Sequence, residues 1–133
     1  MKRQKYRVVK EHLASFSYAM IAAEGDEVSV GKEDPEMPNW FWCRDSQGVE
    51  MWVPSSHIDV ESMRGRFNQD YNSVELDAEV GDLVQYLGES MGWAECLDNK
   101  WRYGWIPKNK MRRLRRTPKQ RMILGLKSRR AVT

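Results

Sequence analysis

The sequence predicts an all-β chain: two tandem, small five-stranded barrels over residues 5–60 and 64–114, followed by a basic tail over 115–133. Three observations predict it. A set of uncommon residue types recurs at one spacing. Aromatic and β-branched runs alternate with turn signals. No stretch has a convincing helical period, except weakly from Met111 to Leu126.

The repeat comes first because it sets the organisation. Trp40, Cys43, Trp52, Val53, Pro54 and Ile58 recur 53 residues later as Trp93, Cys96, Trp105, Ile106, Pro107 and Met111. Upstream, Gly25-Asp26-Glu27-Val28 recurs 56 residues later as Gly81-Asp82-Leu83-Val84. The difference falls in one loop, Gly31 to Asn39 in the first copy and Gly88 to Gly92 in the second. Surface loops absorb such insertions at small entropic cost. The longer loop spells Pro35-Glu36-Met37-Pro38, a PxxP string, and reads as a plain connection.

Within each copy the elements follow in the same order. Gly-Asp opens a diverging turn into a strand with alternating Val28 and Val30, or Val84 and Tyr86. After the variable loop come two hairpins. Trp40–Arg44 returns through Asp45-Ser46-Gln47-Gly48 into Val49–Val53, and Trp93–Leu97 returns through Asp98-Asn99-Lys100 into Trp101–Ile106. Proline closes each hairpin. The polar tripeptides Ser55-Ser56-His57 and Lys108-Asn109-Lys110 then leave room for one 3₁₀ turn before a last short strand. A short link around Glu61-Ser62-Met63 joins the copies.

Charge is divided along the chain. Residues 111–133 carry nine Lys/Arg and no acid, whereas the other 110 residues carry thirteen Lys/Arg against all nineteen Asp/Glu, a net −6. No window approaches the roughly 18 apolar residues of a membrane-spanning helix. No apolar signal core follows the basic start Met1-Lys2-Arg3-Gln4-Lys5. A cytoplasmic setting is expected, with Cys43 and Cys96 as small buried thiols in equivalent places. Neither a nucleotide loop, a nucleophile–base pair nor a clustered metal-ligand set stands out, so no enzyme activity and no cofactor or metal are expected.

The order of these features resembles the Src-homology-3 domain, twice over, and is most similar to bacterial tandem variants of that family. The resemblance covers about residues 5–60 and 64–114. It implies a non-catalytic module binding an extended, Pro-rich or basic peptide, or a protein surface, in a shallow aromatic groove. In the second copy it implies a groove of Tyr71, Trp93, Pro107 and Lys110, with Glu75 and Asp77 (and Glu79) in the following loop to meet a ligand cation. In the first copy His12, Trp40, Pro54 and His57 stand at the matching places, a groove with fewer aromatic walls. The second groove is therefore the one expected to be used.

Other readings stay open beside these. Trp40 and Trp93 are ligand platforms or merely surface aromatics. Trp52 and Trp105 read as packing residues between hairpin strands. Glu75, Asp77 and Glu79 alternate as a solvated strand face would. His12 and His57 read as groove histidines facing one another, with some capacity to make binding pH-sensitive. The tail is a loose terminus, a polyanion-binding segment for nucleic acid or anionic lipid, or an intramolecular ligand whose Pro118-Lys119-Gln120-Arg121 docks on its own chain at high effective concentration. An accessory subunit of a larger enzyme is the remaining alternative.

Overall fold

A computed structural model of the chain describes residues 4–115; the expectations for the tail beyond Arg115 lie outside the described residues. The described residues are all-β, with antiparallel sheets and two 3₁₀ turns. The strands are β1 (Lys5–Val8), β2 (Ile21–Ala22), β3 (Glu27–Glu33), β4 (Trp40–Arg44), β5 (Glu50–Pro54), β6 (Ile58–Glu61), β7 (Arg64–Phe67), β8 (Tyr71–Asn72), β9 (Leu83–Ser90), β10 (Trp93–Leu97), β11 (Tyr103–Pro107) and β12 (Met111–Arg113). The 3₁₀ turns, Ser55–His57 and Lys108–Lys110, follow the two prolines.

One five-stranded sheet runs β5-β4-β3-β7-β6 and the other β11-β10-β9-β1-β12, while β2 and β8 pair with each other. The strand nearest the N-terminus thus joins the second copy. Tyr6 stands opposite Val84 on β9 and Arg113 on β12. Its counterpart in the first sheet is β7, where Gly65 stands opposite Val28 on β3 and Val60 on β6. The link expected at Glu61-Ser62-Met63 is the turn of the β6–β7 hairpin, with Ser62 left-handed at φ 58°.

Side-chain size decides which strand goes where. A Cβ on Gly65 would meet Val30 Cγ2 at 2.9 Å and Val28 Cγ2 at 3.4 Å. At the equivalent place in the second sheet, Tyr6 stacks on Tyr86 with ring centroids 5.0 Å apart. A tyrosine in the place of Gly65 would collide with the first core, so β1 cannot substitute for β7.

The sheets are open, and the barrel closure expected of each copy does not occur. The free edge of β11 is taken by the crossing segment instead. Leu76 N–H donates to the Trp105 carbonyl at 3.1 Å, and Trp105 N–H donates to that of Val74 at 2.9 Å. At the β5 edge, hydroxyls do the same work: Tyr71 Oη donates to the Trp52 carbonyl and Tyr18 Oη to that of Glu50, both at 2.8 Å. Backbone groups bonded to other segments are not free to pair across a closed cylinder.

Two cores result. Val8, Leu76, Ala78, Val84, Ala94, Cys96, Ile106 and Met111 pack in the second sheet. Val28, Val30, Cys43, Val53, Ile58 and Phe67 pack in the first, together with Tyr71 and Trp105 from the far side of the repeat. Cys43 and Cys96 are free and fully buried, one in each core, and burial pushes both thiols up to about 12. No helix among the described residues is long and apolar enough to cross a membrane.

Candidate functional site

The exchanged strands carry the residues that follow them, and this re-pairs the expected groove residues. Tyr71, expected beside Trp93, follows β7 and lies against His57, with ring centroids 5.2 Å apart. His12, expected beside Trp40 and His57, follows β1 and lies edge-on to Trp93 at 5.5 Å. The two histidines therefore belong to different clusters.

The first cluster is interior. His57 is 4 % exposed and Tyr71 is equally enclosed. Trp105 closes on both rings, at 6.0 Å from His57 and 6.3 Å from Tyr71. Its indole N–H donates to the Asn72 carbonyl at 2.7 Å. Burial lowers the pKa of His57, opposed by the negative charge of Glu95, and favours its neutral form. Ser56 Oγ bonds to His57 Nδ1 at 2.9 Å and also to Ser90 Oγ, which ties the two copies together. Pro54, paired with Trp40 across β4–β5, is wholly buried. This part of the first groove is filled by the second copy.

The second cluster is a polar relay beside an aromatic. Lys110 Nζ donates to His12 Nδ1 at 3.2 Å, and His12 Nε2–H donates to Glu75 Oε1 at 3.0 Å; these partners assign the Nε2–H tautomer. Glu75 also accepts from the backbone N–H of Ser15 at 3.0 Å and from its hydroxyl at 3.2 Å. Asp77 Oδ1 accepts from Ala14 N–H at 2.7 Å. Both acids hold residues 12–15 in place, so neither stands idle on a solvated face. Glu79 is exposed. Pro107 pairs with Trp93 across β10–β11 and is half-buried.

Between the clusters, Trp40 and Trp93 meet edge to face, with centroids 6.2 Å apart. They form the back of a cavity of about 260 Å³ at the junction of the two copies. Phe16, Met37, Met51, Trp52, Tyr71 and Trp105 supply its other apolar walls, with Asp34 and Glu75 among its polar ones. Trp40 is 8 % exposed, and its buried Nε1–H has no acceptor among the described residues. A buried donor without a partner costs about 1–3 kcal/mol.

Sequence reasoning singled out Tyr71, Glu75 and Trp93 for one groove and Trp40 for another, and all four line this one cavity; it missed Phe16, Met37 and Met51. Phe16-Ser17-Tyr18, aromatic at two alternate positions, was the signal for the first of these. Met37 lies in the loop that distinguishes the copies, and its position depends on tertiary packing. Among the described residues, no group of three or more His, Cys, Asp or Glu is arranged to hold a metal ion. Neither a family model nor a curated protein matches the chain.

Proposed function

We propose that the chain is a non-catalytic interaction module, and that the cavity between its two copies takes a side chain of an extended peptide or protein surface. The observation that carries this reading is the aromatic cavity at the junction of the copies, where Trp40 and Trp93 meet beside Phe16 and Trp52. Concave sites of this kind combine apolar walls for affinity with a few fixed polar groups for orientation. An extended ligand suits a shallow aromatic site because little chain entropy is lost when it docks. The order of elements in each copy also supports descent from the Src-homology-3 fold, with the first strands exchanged between copies. Two free thiols buried in separate cores fit a reducing, cytoplasmic environment.

The test is a titration of the ¹⁵N-labelled full chain with a Pro-rich, Arg-containing dodecapeptide and with a scrambled Gly/Ser-rich control. The Trp40 and Trp93 indole N–H signals should shift with the first peptide, and Trp93→Ala should abolish the response without unfolding the protein. A response carried by other residues, with both indoles silent, would overturn the proposal. A chain ending at Arg116 distinguishes outside ligands from docking of the tail, because loss of a tail ligand would shift the same indoles with no peptide added.

A further inference from the structure

An exposed tryptophan occupies a turn position suited to glycine. The β4–β5 and β10–β11 turns are alike. Asp45 Oδ1 accepts from the N–H groups of Gln47 and Val49, each at 2.9 Å; Asp98 Oδ1 accepts from those of Lys100 at 2.8 Å and Arg102 at 2.9 Å. The fourth turn residue is left-handed in both, Gly48 at φ 85° and Trp101 at φ 63°. That region is unfavourable for a bulky side chain. Trp101 gains no burial in exchange, since 74 % of it is exposed. Strain kept without a packing gain points to a role outside the fold.

The surroundings show what that role is. Trp101 shares a shallow depression on the second sheet with Lys5. Lys5 and Arg7 lie two residues apart on β1 and so project from one face. Arg7 stands directly opposite Arg112 on β12, a like-charge pair that is unfavourable by itself. Arg7, Arg112, Arg113 and Arg115 line a groove of about 750 Å³. Among the described residues none of these five cations forms an ion pair. Asp98, the acid nearest Trp101, is held by Arg102 Nε at 2.7 Å and by the turn backbone. Residues 1–3 and 116–133 contain no Asp or Glu to neutralise the strip.

We infer that this strip binds single-stranded nucleic acid, with backbone phosphates on Lys5, Arg7 and Arg112 and one base stacked on Trp101. Arginine presents a planar fork that matches phosphate oxygens. Aromatic faces stack any base, and a cationic groove tracks the backbone. A single strand offers the open base face that a duplex hides. The concavity of the arginine groove suits a chain of phosphates better than the flat surface of a bilayer. The site shares no residue with the cavity proposed for peptide.

The experiment measures anisotropy of a fluorescein-labelled 12-nucleotide single strand with the full chain between 50 and 300 mM salt. Trp101→Gly installs the residue found at the matching turn and should preserve the fold while weakening binding roughly tenfold or more. Arg7→Gln with Arg112→Gln should weaken binding and reduce the slope of log affinity against log salt by about 1.4, two phosphate contacts at roughly 0.7 each. Unchanged affinity in both variants would assign any binding to the tail and overturn the inference. So would a duplex bound as tightly as the single strand, or phosphatidylserine vesicles bound with the same dependence on Trp101 and the arginines while the single strand is not.

Discussion

Val8 gives a direct test of the strand exchange. Its side chain is fully buried and belongs to the second core, although it precedes every strand of the first sheet in sequence. Val8→Ala removes two methyl groups. At about 0.8 kcal/mol of transfer free energy for each, plus a term for a cavity that relaxes only in part, the cost is about 2–3 kcal/mol. The two cysteines report on the two cores separately. With both thiols pushed up to about 12, the native protein holds almost no thiolate at pH 8, so labelling proceeds through opening of the fold. A loss of 2–3 kcal/mol should accelerate labelling of Cys96 by about 30- to 150-fold, read by mass spectrometry of the two cysteine peptides. Phe67→Ala, at the matching place in the first sheet, should accelerate Cys43 by as much or more. If Val8→Ala released Cys43 and left Cys96 protected, β1 would belong to the first copy and the exchange would be wrong.

Two further outcomes are expected. Gly104→Ala would place a Cβ 2.6 Å from both Leu76 Cβ and the Leu76 backbone nitrogen, and should cost about 2–3 kcal/mol in urea unfolding; an unchanged midpoint would mean that the crossing segment does not lie against β11. His57 has a folded pKa below its unfolded value near 6.5, so its contribution to stability is complete above that pH and is lost as pH falls toward the folded pKa. Melting temperature should therefore decline from pH 7 toward pH 5, and less steeply in His57→Asn; parallel profiles for the two proteins would refute this.

Much of the local structure was legible in the residues. The 53-residue offset located both Trp-led hairpins, both prolines and both 3₁₀ turns, because these depend on neighbouring residues and turn chemistry. Even the paired roles of Asp26 and Asp82 follow the repeat, each accepting from the N–H three residues earlier at 2.9 Å. The groove residues were partly legible. Trp40 and Trp93 do converge, but His12 and Tyr71 changed places because the strands before them changed sheets.

What the sequence determined by itself is therefore the two repeated hairpins with their turns, and the charge that separates an acidic body from a basic end. Which sheet receives β1 and which receives β7 was decided in three dimensions. Both strands alternate inward and outward residues in the same way, so pattern alone accommodates either arrangement. The choice rests on a long-range fit: the space left by Val28 and Val30 has no room beyond Gly65, whereas the space beside Val84 and Tyr86 takes the ring of Tyr6. Packing density makes such a difference decisive, and it exists only once strands distant in the chain are brought together.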